Sequence, residues 1–284
     1  MARIDSLSIQ LQTSQTAKDK LKEEYGKVIE NVQKRTISAL LKNKDLSGDA
    51  SSGTMEAKRF SNATAEEYGT ARSGGKANKI KAKPVVVALD VNKELIEEVE
   101  EKDLRTYGVN GLIERRVSNQ GNSINRLLER EFFKEAVKEG TKVTLTATKI
   151  EEMFEEAIQK VETTKNDFVD GVERDMINVV CSPEYYGKIR TYLDQGNNAN
   201  VETDIEEFGR YHGVNVFSSV YLPTGVDFVV MAVGSVAQPV ITSIYNPTKI
   251  ELSDTTAFGT FLYFGTKAVT PDLIIYKAET NAPL

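Results

Sequence analysis

A chain of 284 residues, 40% hydrophobic and 27% charged, can bury a core of its own in one or two domains. A net charge of −6 and a pI near 5.2 argue against a protein that coats nucleic acid, although a local basic patch can survive within an acidic whole. The single cysteine, Cys181, excludes a disulfide framework, and MARIDSLSIQLQ lacks the apolar core of a signal peptide. No run of about 18 apolar residues occurs, so a soluble cytoplasmic chain is expected.

Residues 14–42 set Leu21, Tyr25, Val28 and Val32 at helical spacing with charges between them, which predicts an amphipathic helix weakened by Gly26. It either packs on its own domain or serves as an arm that docks on a neighbour. Residues 43–75 are small and polar, and Leu46, Met55, Phe60 and Tyr68 are too few apolar anchors for independent folding. Such a structureless stretch inside a compact domain is expected to project and to be functional.

The continuation, RSGGKANKIKAKPVVVALDV, carries Arg72, Lys76, Lys79, Lys81 and Lys83 without an acid before turning apolar. From Ile80 onward the residues alternate, placing Lys79, Lys81 and Lys83 on one face of an extended chain and Ile80 and Ala82 on the other. The stretch reads as a charged ribbon leaving a body. NKELIEEVEEKDLRTYG then predicts a short acidic helix over 92–103, capped by Asn92, with Leu95, Ile96 and Val99 inward. Its acids, among them Glu94, Glu97, Glu98 and Glu101, are candidate partners on another copy for the ribbon's cations.

Ile124, Leu127, Leu128, Phe132 and Ala136 form a helical stripe closed by Gly140, the expected longest element. Beyond it VTLTA predicts a strand, and Thr148 with Glu151 matches a capping box before Ile150, Phe154, Ile158 and Val161. MINVVC reads as a buried strand, and Ser182 with Pro183 opens the helix EYYGKIRTYL. GVNVFSS and VDFVVMAV add strands, with DQGNNANVETD as a surface loop. VITSIYN, KIELSD, TFLYFG and LIIYKAE close the chain as strands, punctuated by Asn-Pro, Gly and Pro-Asp turns.

Material for catalysis is thin. His212, the sole histidine, sits in GRYHGVNV, where a turn role fits better than general-base work. Cys181 ends an apolar strand as a small hydrophobe without recognisable histidine and acid partners. No phosphate-binding loop occurs, and SGG at 73–75 lacks the strand and helix of a dinucleotide site. The acids of IEEVEEKD and IEEMFEEA fit solvated helix faces better than paired catalytic carboxylates. The absence of tryptophan and of aromatics within the ribbon counts against single-strand nucleic-acid recognition. No catalytic, cofactor-binding or metal residue is assigned.

In this order the elements resemble the major capsid proteins of tailed bacteriophages, the Hong Kong 97-like fold. KIKAKPVVVALDVNKELIEEV is similar to the returning strand of that family's extended loop with its short helix, and NSINRLLEREFFKEAVKEG to the spine helix. NVVCSPEYYGKIRTYL with FGRYHGVNVFSSVYLP resembles the strand, helix and return strand of the axial domain, and YFGTKAVTPDLIIYKAE the closing peripheral strand. The resemblance covers about residues 30–279. It implies an α+β fold with an N-terminal arm (1–43), an extended loop (44–91), a peripheral domain with a long spine helix (92–140), an axial α/β domain (141–238) and closing peripheral strands (239–284).

It also implies a shell subunit forming hexamers and pentamers around packaged double-stranded DNA, which it meets by non-specific proximity only. Expected partners are a separate scaffolding protein, a portal and head-completion proteins, with assembly in the host cytoplasm and no membrane. The ribbon would lie across the adjacent subunit, making Arg72, Lys76, Lys79, Lys81, Lys83, Glu94, Glu97, Glu98 and Glu101 candidate contacts between copies. Some members join a loop lysine to an asparagine with help from an acid. Lys76 or Lys79, Asn246 and Glu251 can be cast in those parts, but such residues are too common here to be assigned. An encapsulin-like compartment enclosing a cargo enzyme is the alternative, and a small α/β hydrolase or transferase the reading from another class.

Overall fold

The structure is a computed structural model that describes residues 36–48, 52–63, 81–100, 109–195, 210–253 and 255–278. In chain order its elements begin with α1 (Ile37–Leu41), β1 (Leu46–Ser47), β2 (Thr54–Phe60), β3 (Ala82–Ala88), β4 (Val91–Glu100) and α2 (Val109–Glu139). There follow β5 (Thr141–Lys142), α3 (Ile150–Glu162), β6 (Lys165–Asn166), β7 (Val169–Asp170), β8 (Ile177–Cys181), α4 (Pro183–Gln195), β9 (Arg210–Tyr211) and β10 (Val214–Ser218). The chain closes with β11 (Val226–Ala232), β12 (Val236–Ala237), β13 (Val240–Lys249), β14 (Thr255–Phe264), β15 (Lys267–Ala268) and β16 (Ile274–Ala278). Most of the expected arm and the stretches 64–80 and 196–209 lie outside the described residues.

The chain divides into two compact units. One draws on Met1–Leu40, Ala88–Glu129 and Pro239–Gly265, the other on Leu41–Val87, Arg130–Gln238 and Thr266–Leu284. In the first, an antiparallel sheet of order β13-β14-β4 turns Phe258, Leu262 and Phe264, with Leu95, onto Ile124 and Leu128 of α2. Alternation along β14 explains the burial: even positions face the helix, and odd positions such as the partly exposed Tyr263 face away. Gly265 ends β14 because of a close approach, since a Cβ there would lie 1.8 Å from the carbonyl oxygen of Ala88.

The expected acidic helix over 92–103 is instead the strand β4 through Glu100, with residues 101–103 outside the described chain. Residues Val91 to Glu100 pair without a break against β14. Leu95 and Ile96 therefore point to opposite faces, Leu95 into the core and Ile96 48% exposed. A helix would have stacked Glu94, Glu97 and Glu98 at three- and four-residue spacing, where like charges repel. The strand spreads them over two faces while covering apolar side chains of β14, so tertiary pairing overrides local propensity. The Asn-Pro turn is likewise a correction: Asn246 and Pro247 lie within β13 at a register shift, the place where a strand tolerates proline. Residues 251–253 of KIELSD form the turn joining β13 to β14, and Leu252 adopts φ 59° there.

The second unit is built on a six-stranded sheet of order β5-β16-β11-β8-β10-β9. β8 is buried at all five positions, as a central strand covered on both faces must be. Phe154, Ile158 and Val161 of α3 and Tyr185 and Ile189 of α4 pack with Val179, Cys181, Phe228 and Val230. Phe154 meets the rings of Tyr211 and Phe228 edge-on, at centroid distances of 4.9 and 5.6 Å. Tyr185 N–H donates to Ser182 Oγ at 3.3 Å, giving α4 its expected cap.

Two expectations fail around α3. VTLTA is a strand only in its preamble, Thr141–Lys142, because β5 pairs with β16 for just two residues. The capping box is absent: Lys149 occupies the cap position without a side-chain bond. The N–H groups of Thr146 and Ala147 donate instead to Glu156, so the carboxylate organises the preceding loop. Gly140 does end α2, but through close packing: an added Cβ would meet the Ala136 carbonyl oxygen at 2.5 Å and Ile274 Cγ2 at 2.8 Å.

Candidate assembly surface

The charged ribbon has a root, and the root is folded. Within the second unit β1, β2 and β3 form a three-stranded sheet, with Ala57 and Val87 buried against Ala237 and Val269. The polar stretch after residue 43 is thus a correction in part, since Leu46–Ser47 and Thr54–Phe60 are strands. What falls short is the amount of apolar surface that segment owns; what rescues it is core supplied by residues 237 and 269.

Arg59 fastens this root. Its guanidinium donates to both oxygens of Asp272 at 2.7 and 2.6 Å and lies 4.8 Å from the centroid of the Phe168 ring. Asn166 adds a bond to Asp272 at 2.5 Å, and the backbone N–H of Asn62 donates to the Asp167 carbonyl at 3.1 Å. Burial pushes the Asp272 carboxyl up, but the bonds from Arg59 and Asn166 outweigh it and hold the carboxyl below its ordinary value. Nothing in the sequence signalled a pair 213 positions apart.

The described end of the ribbon is exposed. Lys81, Ala82, Lys83 and Pro84 are all exposed, so the expected division of residues 81–84 into a charged and a sheltered face is absent; alternation begins with Val85 and Val87 inward and Val86 outward. The last described bonds before the ribbon departs join Ser61 N–H to the Lys81 carbonyl at 2.9 Å and Lys81 N–H to Ser61 Oγ at 3.2 Å. Arg72, Lys76, Lys79 and Glu101 lie outside the described residues.

The candidate acids separate by face. In the first unit Glu94 and Glu98 are exposed on the outward side of β4, alongside Ile96 and, on β14, Tyr263. Glu97 is half-buried on the other face. There Arg116 of α2 grips both its oxygens at 2.7 and 2.6 Å, so its charge is already met within the chain.

Cys181 is fully buried, and burial together with Asp227 pushes its thiol well up, away from thiolate character. His212 is exposed in the turn between β9 and β10 at φ 45°. Among the described residues no group of three metal-ligating side chains occurs. No helix of the described residues is long and apolar enough to cross a membrane. Arg174, held by Glu155 and Glu162, is a brace among the residues around α3.

No family model matches the sequence, and no curated protein does. Solved structures do match. A structure from Mycobacterium phage Che8 superposes with a TM-score of 0.63 at 17% identity, over 87% of this chain and 93% of that one. The capsid structure of the Cyanophage P-SCSP1u gives 0.60 at 13% identity, over 87% and 89%. The crystal structure of a virus-like particle from Pyrococcus furiosus gives 0.54 at 13% identity, over 91% and 98%. The class that these likenesses define is the tailed-phage major capsid fold, and this chain has that fold over most of its length.

Proposed function

We propose that this chain is the subunit of a closed protein shell, the head of a tailed phage, assembling as hexamers and pentamers around double-stranded DNA. The observation that carries the reading is the superposition on phage capsid structures over nearly the whole of both chains. The molecule supplies a physical complement: a fastened root from which exposed lysines depart, and an outward face bearing Glu94 and Glu98. On this reading Lys81 and Lys83 of one copy reach acids of the next, and the remaining ribbon cations Arg72, Lys76 and Lys79 extend the contact. A separate scaffolding protein, a portal and head-completion proteins would act with it, and DNA would be enclosed without sequence recognition.

Electron microscopy of concentrated protein is the test, with closed shells expected and a stable monomer at all concentrations refuting the reading. A compartment shell around a protein cargo is the second reading, and the fold shared with a virus-like particle from Pyrococcus furiosus is compatible with a shell other than a phage head. Particles from the native source decide between the two: double-stranded DNA inside supports the phage head, and a protein cargo without nucleic acid supports the compartment.

A further inference from the structure

Glu129 is a buried carboxylate that meets no cation among the described residues. It is 4% exposed, and among the described residues it has no ion pair. Its Oε1 accepts the backbone N–H of Ser38 at 3.1 Å, and the N–H of Ile37 lies close enough to favour the charged carboxylate. These are the first two amides of α1, whose next one, Ala39 N–H, is met by Thr36 Oγ1 at 3.1 Å. Thr36 and Ser38 are themselves buried. The last described turn of the arm is therefore seated on α2 through a glutamate that the seat itself shields from water.

Among the described residues, no charged group on the elements around it acts on this carboxylate. α1 has the sequence ISALL and carries no titratable side chain. Lys42, just beyond it, has Lys44 as its charged neighbour. On α2, Arg126 Nε donates to the Asn122 carbonyl and the Arg130 guanidinium lies over the Tyr221 ring. From the sheet packed on α2, Lys93 is exposed and Glu97 is held by Arg116.

We infer that the seating of residues 36–40 on α2 is coupled to a proton on Glu129, so that this end of the arm grips or loosens with pH. Seated, the carboxyl is cut off from water; unseated, it is hydrated. Burial pushes it up and the two amides pull it down, with burial the stronger, so that the seated carboxyl lies above its ordinary value of 4.5. The seated form thus holds its proton more tightly than the unseated one. Seating is strongest below 4.5 and weakens as pH rises through the raised value.

Hydrogen exchange on the full chain tests this at the amides of residues 37–40, corrected for intrinsic chemical rates. From about pH 4.5 to about pH 8, protection in the wild type should fall by up to about tenfold for each unit by which the seat raises the carboxyl. Glu129→Gln, which keeps the shape and removes the charge, should flatten that profile. A carbon-detected NMR titration of the Glu129 carboxyl in the folded wild type keeps the question answerable if the variant fails to fold. Identical profiles in wild type and variant, or a carboxyl titrating at its ordinary value, would overturn the inference. Neither measurement needs an assembled shell.

Discussion

At the scale of two residues, Arg59 and Asp272 fasten the small sheet whose strands β2 and β3 flank residues 64–80. The pair is largely sheltered, with Arg59 12% and Asp272 27% exposed, and both bonds are bidentate and charge-assisted. Removing one partner strands the other, at an expected cost of about 1 to 3 kcal/mol. Arg59→Ala should therefore lower the melting temperature and reduce hydrogen-exchange protection in β2 and β3, with Arg59→Lys intermediate because a point charge cannot reproduce the fork. The pH sign follows from Asp272, whose carboxyl is held below its ordinary 3.8. Its contribution is present above 3.8 and is lost as pH falls through the folded value. Acid should loosen β2 in the wild type, and Asp272→Asn should already be loosened at neutral pH; equal protection in both would show that the fork holds nothing.

At the scale of elements, the sequence was legible where an element's own residues carry the pattern of its burial. α3 and β8 were foreseen because Phe154, Ile158 and Val161 recur at helical spacing and INVVC is apolar at every position but Asn178. β4 was not, because its acids also suit a helix and the evidence for a strand lies in its partner, the buried Phe258, Leu262 and Phe264 of β14. The strand β2 was hidden for the same reason, since the core beneath Ala57 comes from residues 237 and 269. Of the assembly surface, the exposed Lys81 and Lys83 and the acids Glu94 and Glu98 were readable as charges, whereas the capture of Glu97 by Arg116 depends on an approach of chain segments that no local pattern encodes. The corrected boundaries give a prediction. Deleting residues 64–80 and joining Ala63 to Lys81 by a short turn should leave a folded subunit, because Ser61 and Lys81 are already bonded at 2.9 Å. Extending the deletion back to residue 44 should destabilise the subunit severely, since Ala57 and Arg59 leave with it. Thermal unfolding of the two variants checks this, and equal melting temperatures would contradict the root described for the ribbon.

At the scale of the whole molecule, the net charge of −6 makes copies repel one another unless local charges are placed to overcome it. An exposed pair is worth only about 0.2 to 1 kcal/mol, but a closed shell repeats it at every subunit. Lys81→Glu should impair particle formation more than Lys81→Ala, because it replaces a lost attraction with a repulsion. Glu98→Lys should partly restore it. Light scattering should also show wild-type assembly weakening as salt rises, since exposed charges are screened beyond about 8 Å near physiological ionic strength. Equal assembly of the two Lys81 variants at every salt concentration would remove electrostatics from the contact.

The enclosure of Cys181 at the end of β8 has a practical consequence. Because the chain's single thiol is fully buried and held far from its reactive form, the native fold is silent toward alkylating dyes and spin labels. A cysteine placed at Lys83 would then be the sole reporter on the surface, without any background to engineer away. Its alkylation rate in free subunits and in particles would show whether the start of β3 is covered on assembly, and a spin label there would report how tightly it is held.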